Sequence, residues 1–459
     1  MTLIWLRTSL RVLDNPIWQY SGALDQGAAD TTLILTPALE QYRQHGYGER
    51  KLDLLRTQQK AFAEWARASG IRVHWLEADT YRAAAEQVLQ VAHDKGAAVL
   101  LADREYGLNE RRRDAWLGKR LNAQGIDFTL VDDRLTYPPE TVLNGQGQPY
   151  RVFTAFKKAW RQRWSEHPVP PFASPAWAGP LPEPEQEAIA ALQRYVASEQ
   201  QRYEEVRNDL GRPVVSGLSP AIANGLLTTR QAFAETAAQA TGSGEQPGAD
   251  KWLDEWIWRE FFYAVGYHFP DVYLHRGLQA WTDLVRWDKD HKKLQAWQQG
   301  RTGYPVVDAA MRQLAATGRM PNRARMFTAA FLSKDLLLDW RLGEAWFLDQ
   351  LLDADFAVNN GNWQWGASTG VDAAPYFRIF NPLRQAQRFD PDGDYVRQWV
   401  PELAHLEGAA ILDPSPLERE AAGYPPPLVI HKEAAERTKA AFKAAKEQNA
   451  HLPEDADYS

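Results

Sequence analysis

Five short runs of apolar and β-branched residues alternate with helical stretches over the first 133 residues, and this alternation constrains the fold more than any other feature. The runs lie at residues 3–6, 32–35, 71–76, 98–102 and 128–131. Strands that alternate with helices, such as the helical pattern at 51–66, indicate βαβ units and a parallel sheet. The dinucleotide fingerprint G-x-G-x-x-G follows none of these runs. We therefore predict a Rossmann-like α/β domain at 1–133 that does not bind NAD or FAD in the standard way.

A proline-rich stretch and then a long helical pattern follow this domain. Prolines accumulate between residues 134 and 200, as in a connector that runs over a surface. Helical periodicity then extends almost to residue 446, with breaks at 242–248 and at several later prolines. We predict a connector at 134–200, an all-α domain at 201–446 and a frayed acidic tail at 447–459.

Charge and cysteine content exclude several classes of site. The chain has 52 Lys and Arg against 59 Asp and Glu, so a nucleic-acid partner would need a local basic patch. Because cysteine is absent, disulfides, thiolate zinc sites and iron-sulfur clusters are excluded, and no metal site is predicted. No window approaches about 18 uninterrupted apolar residues, and residues 1–7 lead into a strand pattern instead of an export signal. We expect a cytoplasmic protein that does not contact a membrane.

A helix predicted to begin near Trp252 carries charge on its apolar stripe. By i, i+3, i+4 spacing, this stripe contains Trp252, Glu255, Trp258 or Arg259, and Phe262. A buried Arg-Glu pair and a polar ligand site both account for this pattern. A second helix repeats it, with Asn322, Arg325 and Met326 on one face and Arg319 and Arg323 alongside.

Residues 353–365 contain four amides, two carboxylates and two indoles around one glycine. This composition fits a polar ligand cradle better than a core, and a capped turn between helices is the alternative. Upstream, a small-residue loop at 214–220 ends with Ser219 at a predicted N-cap and Pro220 at the first helical position. Such a helix start offers backbone N–H groups to a phosphate.

Two stretches are basic although the whole chain is acidic. Residues 151–164 contain five cationic side chains and no carboxylate, which a solvated helix face also explains. Residues 376–388 interleave Arg378, Arg384 and Arg388 with aromatic side chains, as a nucleic-acid groove requires.

Four ordered motifs carry a resemblance to a known family over nearly the whole chain. They are WIWREFF at 256–262, TGYPVVDAAMR at 302–312, NNGNWQW at 359–365 and YFRIFNP at 376–382. Together they resemble the photolyase/cryptochrome family, and within it the class I cyclobutane pyrimidine dimer DNA photolyases most. The segments at 5–7 and 10–15 are similar to the family's opening strand and turn.

The resemblance implies an α/β antenna domain, a connector, and a helical catalytic domain that binds DNA and holds FAD in a bent conformation. The residues that match the family's FAD contacts are Tyr203, Ser216, Leu218, Ser219, Trp252, Arg259, Asn322, Arg325, Asp353, Asp355 and Asn359. By the same resemblance, Asp353 pairs with Arg325, and Asn359 faces flavin N5.

The remaining matches concern electron transfer, substrate and antenna. Trp363, Trp340 and Trp287 match the family's electron-transfer chain from the flavin to the surface. The residues matching the pocket for the flipped-out pyrimidine dimer are Glu255, Trp258, Met326 and Trp365. The residues expected to meet DNA are Arg207 and Arg323 by resemblance, with Arg378 and Arg384 from the basic stretch. The residues at positions similar to those of folate-binding members are His45, Asn109 and Glu110, which suggests methenyltetrahydrofolate as an antenna.

The function predicted from these features is light-dependent repair of cyclobutane pyrimidine dimers in damaged DNA by a monomeric enzyme. Excited reduced FAD would donate an electron to the dimer and recover it after the ring splits. A cryptochrome-type photoreceptor is the main alternative, although little chain after residue 446 remains for a signalling extension. Repair of (6-4) photoproducts needs two pocket histidines, where this chain has Asn322 and Met326. An unrelated flavoprotein would require the four motifs to be coincidental.

Overall fold

The computed structural model describes residues 1–22, 31–211, 215–239, 247–373 and 375–451. The chain divides into two compact units. The first consists of Met1–Glu204, Ser216–His268 and Leu352–Asp355, and the second of Glu205–Val215, Phe269–Leu351 and Phe356–Ser459. Three predicted features, namely Val214 of the small-residue loop, most of the break at 242–248 and the acidic end at 454–457, lie outside the described residues. The four-part division of the chain stays a prediction.

The first unit contains a five-stranded parallel sheet with the order β3-β2-β1-β4-β5. The strands are β1 Thr2–Leu6, β2 Thr32–Leu35, β3 Arg72–Trp75, β4 Val99–Asp103 and β5 Asp127–Val131. Trp5 of the central strand lies opposite Ile34 on one side and Ala102 on the other. The predicted strands and the Rossmann-like sheet are therefore confirmed.

Helices account for most of the remaining described chain. In the first unit they are α1 Ile17–Tyr20, α2 Leu39–Gln44, α3 Glu49–Ala68, α4 Tyr81–Asp94, α5 Leu108–Asn122, α6 Phe153–Glu166, α7 Glu183–Ser198, α9 Ser219–Ala223, α10 Thr229–Gln239 and α11 Pro247–His268, and α8 Tyr203–Val206 spans the division between the units. In the second unit they are α12 His291–Gln298, α13 Pro305–Thr317, α14 Asn322–Ala330, α15 Trp340–Gln350, α16 Phe356–Ala367, α17 Pro382–Phe389, α18 Asp394–Trp399, α19 Ala409–Leu412, α20 Pro416–Ala422 and α21 His431–Ala450. No strand follows β5 in the described ranges, and the all-α character of the rest is confirmed.

Both faces of the sheet are buried, as parallel sheets require. Successive side chains of β1 point to opposite faces. Ile4 and Leu6 join a core with Phe62 and Trp65 of α3, whereas Leu3 and Trp5 join one with residues of α4 and α5. The loops at the carboxyl ends of the strands are therefore held on a rigid base.

The long helix α11 begins at Pro247, five residues before the predicted start near Trp252. Proline is tolerated there since the first N–H groups of a helix have no intrahelical partner. Gly248 was predicted to belong to a break but lies inside the helix. A Cβ at this position would come within 1.9 Å of the Gln201 carbonyl oxygen, so this glycine permits a close backbone approach.

A buried quartet of charges ties the loops of the first unit together. Arg230 of α10 donates to Asp14 at 2.9 Å and to Asp133 at 2.9 Å, and Arg11 also pairs with Asp133. These four side chains are at most 2% exposed. Because one missing partner would leave an uncompensated buried charge, the quartet fixes the loops that follow β1 and β5.

Candidate functional site

The charged stripe on α11 is half-buried at Glu255, Trp258 and Arg259 and buried at Trp252 and Phe262. Arg259 donates through Nη1 to the Arg134 carbonyl oxygen at 3.0 Å, and its Nη2 lies 4.0 Å from the Asp355 carboxylate. An ionic partner of Arg259 is therefore Asp355, which comes from a segment distant in sequence.

Asp355 is the centre of a buried polar cluster in the first unit. Its Oδ2 accepts from the Tyr263 hydroxyl at 2.6 Å and from Arg134 Nη2 at 3.2 Å. Burial alone would raise the pKa of Asp355, but the charges of Arg134 and Arg259 outweigh it and hold this pKa below its usual range. The cluster thus keeps an ionised carboxylate between two guanidinium groups.

Several buried polar atoms near this cluster have no hydrogen-bond partner among the described residues. They are Nη1 of Arg134, Nε of Arg259, Nζ of Lys51, and both Nδ2 and Oδ1 of Asn224. Buried polar groups in folded proteins are normally satisfied. The donor-rich set fits a polar, anionic ligand such as a dinucleotide.

The small-residue loop differs from its prediction at the helix start. Helix α9 begins at Ser219, and Leu218 is its N-cap, so Ser219 is the first helical residue and not the cap. The reason is that Leu218 already has near-helical angles, φ -81° and ψ -11°. Ser216 instead uses its hydroxyl oxygen locally, accepting from Leu218 N–H at 3.4 Å. Tyr203 is half-buried at the start of α8.

In the second unit, α14 presents its polar face with Asn322 exposed and Arg323, Arg325 and Met326 half-buried. Arg325 Nε donates to the Met320 carbonyl oxygen at 3.0 Å. Arg323 Nε donates to Asn208 Oδ1 at 3.0 Å. These contacts fix the direction of both guanidinium groups.

Residues 356–367 form helix α16, so the alternative of a capped turn between helices is wrong for this part of the segment. Asn359 and Asn360 are 8% and 3% exposed. Asn359 Nδ2 donates to the Glu344 carbonyl oxygen at 2.9 Å, and Asn360 Nδ2 donates to Glu344 Oε1 at 2.7 Å. Because the amide nitrogen of Asn359 is engaged in this way, its Oδ1 is the acceptor that it can offer to a ligand. Asn362, in contrast, is exposed.

The buried Glu344 was missed by the sequence analysis. Its Oε2 contacts Nδ1 of the half-exposed His275 at 3.0 Å. This hydrogen bond raises the pKa of His275 more than burial lowers it. The only signal for Glu344 in the sequence was a carboxylate within the helical pattern of α15, and the sequence did not indicate which residues this carboxylate contacts.

The three tryptophans of the predicted electron-transfer chain all belong to the second unit. Trp363 and Trp340 are 2% and 1% exposed, whereas Trp287 is half-buried. Trp363 packs edge-on against Trp297 and Phe347, with ring centroids 6.1 and 4.9 Å away. The two inner indoles are thus shielded from water, and the third reaches toward the surface.

Trp258, predicted to meet the substrate, stacks on a ring that the sequence did not single out. Its indole lies parallel to Phe153 of α6 at a centroid distance of 3.6 Å and an interplanar angle of 9°. Trp365 and Met326, the other predicted pocket residues with hydrophobic side chains, are half-buried in the second unit.

Two cations of the first basic stretch form ion pairs within the first unit. Lys157 and Arg161 of α6 pair with Asp254 of α11 at 2.9 and 2.8 Å, and Arg161 also reaches Asp250 at 3.0 Å. These cations therefore join two helices, and the solvated-face interpretation is wrong for them.

Three arginines of the second unit, Arg207, Arg323 and Arg388, influence one another electrostatically. Burial and then the neighbouring charges of Arg207 and Arg388 lower the pKa of Arg323. The Arg323 guanidinium also lies 4.5 Å from the Phe389 ring centroid. From the second basic stretch, Arg384 donates its backbone N–H to the Asn381 cap, and the Arg378 carbonyl oxygen accepts from Lys334 at 3.2 Å.

The predicted antenna residues lie close together in the first unit. His45 Nε2 lies 3.0 Å from the side-chain amide nitrogens of both Asn109 and Gln41. Burial lowers the pKa of His45, which favours the neutral ring. Glu110 accepts from the Tyr81 hydroxyl at 2.9 Å. The described residues contain no cluster of side chains able to hold a metal ion, and within the same ranges no helix is long and apolar enough to cross a membrane.

Comparisons with known proteins identify the family to which the chain is similar. Residues 2–176 match a family model described as DNA photolyase, and residues 252–444 match one described as the FAD binding domain of DNA photolyase. The chain is 38% identical over 470 residues to the deoxyribodipyrimidine photo-lyase of Escherichia coli, covering 97% of this chain and 98% of that protein.

Two solved structures are also similar over almost the whole chain. A class III photolyase from Agrobacterium tumefaciens superposes with a TM-score of 0.81 at 31% identity, covering 97% of this chain and 98% of that one. A cryptochrome from Synechocystis has a TM-score of 0.81 at 26% identity, covering 96% of this chain and 99% of that one.

Proposed function

Because this chain belongs to the DNA photolyase family, we propose that it is a light-dependent DNA repair enzyme that splits cyclobutane pyrimidine dimers. The observation that carries this proposal is the full-length similarity to a deoxyribodipyrimidine photo-lyase, together with the match to an FAD-binding domain. The substrate class and the roles of individual residues are parts of the proposal.

FAD is proposed to be held by the residues that match the family pattern. When bound and reduced, FAD supplies an electron to the dimer on illumination and recovers it after cleavage, so the reaction has no net redox change. The buried donors of Arg259 and Arg134, with the carboxylate of Asp355 between them, support binding of a large polar ligand. Asn359 would direct its Oδ1 to the ring, because its amide nitrogen is held by Glu344. The other proposed contacts are Tyr203, Ser216, Leu218, Ser219, Trp252, Asn322, Arg325 and Asp353.

The damaged nucleotide pair is proposed to leave the DNA stack before cleavage, at a cost that is lowest for a distorted pair. Trp258 would stack on the extruded bases, Glu255 would hydrogen-bond a base edge, and Met326 and Trp365 would pack against them. The residues proposed to bind phosphates are Arg207, Arg323, Arg378 and Arg384. The mutual repulsion of Arg323 with its neighbouring arginines supports an anionic partner.

Two further roles and two properties of the protein are proposed on sequence grounds. Trp363, Trp340 and Trp287 would carry electrons to the flavin during photoreduction, and the burial of the inner two supports this role. The cluster of His45, Asn109 and Glu110 would bind an antenna such as methenyltetrahydrofolate. A monomeric state and a cytoplasmic location complete the proposal.

The function is tested by illuminating thymine oligonucleotides that contain dimers with the reduced, FAD-loaded protein. Chromatography should show monomeric thymine in the light and none in the dark. Trp258→Ala should weaken binding of dimer-containing DNA by about 1–3 kcal/mol, the stacking free energy per base, and leave binding of undamaged DNA nearly unchanged. If the wild type split no dimers and bound both duplexes equally, the photoreceptor alternative would replace repair.

A further inference from the structure

The ring of Trp258 is covered on one face by Phe153. The two rings are parallel at 3.6 Å, and Phe153 is 5% exposed, whereas Trp258 is half-buried. Phe261 and Phe262 contact Trp258 at 5.7 and 5.3 Å with interplanar angles of 74° and 31°. Three phenyl rings therefore contact the indole, and of these only Phe153 lies flat against it.

The close parallel stack is imposed by the surrounding helices. Aromatic pairs prefer offset or edge-to-face arrangements with centroids about 4.5–7 Å apart. Phe153 and Trp258 lie closer and nearly parallel, so packing elsewhere must hold their backbones together. Phe153 is the first residue of α6, and Trp258 lies in the middle of α11.

Two carboxylates of α11, one on each side of Trp258 in sequence, fasten α6. Asp254 accepts from Lys157 at 2.9 Å and pairs with Arg161 at 2.8 Å, with its own side chain 8% exposed. Glu260, 2% exposed, accepts from Trp160 Nε1 at 2.6 Å. Because Asp254 and Glu260 are buried carboxyl groups, losing their hydrogen-bond partners on α6 would be costly.

We propose that Phe153 is a positioning residue that fixes the plane of the Trp258 ring and leaves only the opposite face for the damaged bases. The proposal rests on the proposed role of Trp258 in substrate binding. A ring that is already held in its bound orientation loses less conformational freedom when a base stacks on it. A flat aromatic side chain at position 153 is therefore required for selectivity, and apolar volume alone is insufficient.

The test compares Phe153→Leu with a matched control on the same helix. Leucine keeps an apolar side chain of similar size but has no flat face. Phe156→Leu is the control, because Phe156 is also buried in α6 and contacts Phe261, and within the described residues its ring does not contact Trp258. Affinities of the FAD-loaded proteins for dimer-containing and undamaged duplexes are measured, together with the melting temperature.

We expect Phe153→Leu to lose about two- to tenfold in affinity for dimer-containing DNA, the range of an aromatic pair contribution, with binding of undamaged DNA unchanged. Phe153→Tyr and Phe156→Leu should both keep the wild-type ratio of the affinities for dimer-containing and undamaged DNA. Phe153→Met replaces Phe153→Leu if the latter does not fold.

Two outcomes would overturn the proposal. One is an unchanged affinity ratio in the folded Phe153 variant, and the other is an equal loss in the Phe156 control, which would indicate general packing. Trp258→Ala separates this proposal from the function on which it rests. If Trp258→Ala lowers the ratio and Phe153→Leu does not, only the positioning role fails; if Trp258→Ala has no effect, the proposed substrate contact itself is wrong.

Discussion

Lys51 carries a buried ammonium group that costs stability in the first unit. The side chain is 3% exposed in α3, and burial lowers its pKa to about 7 although Asp355 partly offsets this effect. Unfolded lysine titrates near its ordinary value of 10.5. Between pH 7 and 10.5 the unfolded chain therefore binds more protons than the folded one, and this residue makes stability rise with pH.

Lys51→Met should raise the free energy of unfolding at pH 7 by about 1–4 kcal/mol, the range for replacing buried charges with apolar side chains. In the wild type, part of the increase in stability between pH 7 and 10 comes from the titration of Lys51. The variant should lack that part of the increase. Urea unfolding at a series of pH values measures both effects. Lys60→Met, an exposed position of the same helix, is the control and should change neither; equal curves for wild type and Lys51→Met would contradict the prediction.

The contact between His275 and Glu344 should stabilise the second unit mainly at low pH. The hydrogen bond to Glu344 raises the folded pKa of His275 above its unfolded value of 6.5. Its contribution is thus complete below about pH 6.5 and is lost as the pH rises through the folded pKa. His275→Asn should cost at most about 1 kcal/mol at pH 5.5, since the imidazole is half-exposed, and less at pH 8.5. A cost that does not change between these pH values, measured by denaturant unfolding, would show that the pair does not titrate.

At the residue scale, the sequence indicated Arg259 because a charge stood on an otherwise apolar helix stripe, and Asn359 because amides and carboxylates cluster around one glycine. Trp258 was indicated by the family resemblance. The sequence analysis missed Arg134 and Phe153. The partners of these two, Asp355 and Trp258, lie in other elements far along the chain. Periodicity reports which side chains share one helix face, and it contains no information on which faces meet.

At the scale of the elements, α15 and α16 pack closely because α15 has a glycine opposite Trp363. A Cβ at Gly343 would lie 2.1 Å from the Trp363 ring. Overpacking of this kind forces side chains out of place and typically costs about 1–3 kcal/mol. Gly343 thus determines where the innermost proposed electron carrier sits.

Gly343→Ala should displace Trp363 and slow light-driven flavin reduction without removing an oxidisable ring. Transient absorption after a blue flash measures this rate, and Trp340→Phe provides the reference for an interrupted chain. In both variants, repair by chemically reduced protein should be spared. Gly366→Ala is the control, since its Cβ would meet only Ala329 at an ordinary 3.5 Å. Unimpaired photoreduction in both Gly343→Ala and Trp340→Phe would point to another electron path.

The elements themselves were largely predictable, and their ends were less so. The five strands fell within about one residue of their predicted positions because β-branched runs and turn residues marked both sides. The start of α11 and the cap of α9 were misplaced. Gly248 was predicted to lie in a break, although in the helix it allows a close approach to Gln201. Ser219 is a residue type that commonly caps helices, but here it is the first helical residue.

For the whole molecule, the net charge of -7 opposes binding to DNA, whereas the arginine cluster of Arg207, Arg323 and Arg388 favours it. Affinity for DNA should therefore fall steeply with salt despite the acidic composition. Arg323→Gln should weaken binding to damaged and undamaged duplexes alike and reduce the slope of log K against log salt by about 0.9. Fluorescence anisotropy between about 50 and 200 mM salt measures the slope. A loss confined to damaged DNA would assign Arg323 to lesion recognition instead.

At this scale, the order of an α/β domain before a helical one followed from the sequence alone, since alternation and helical periodicity occupy different parts of the chain. The segments that make up each compact unit could not be predicted from the sequence. Residues 352–355 belong to the first unit although helical chain surrounds them in sequence, because Asp355 supplies the carboxylate that Arg134 and Tyr263 require.

This late contribution has a consequence for synthesis on the ribosome. The first unit needs a residue that is translated only after the whole of Phe269–Leu351. At roughly 5–20 residues per second, that interval lasts on the order of 10 s, during which Arg134 has emerged without Asp355. A nascent chain arrested before Asp355 should therefore be cleaved by trypsin at Arg134 much faster than the finished protein.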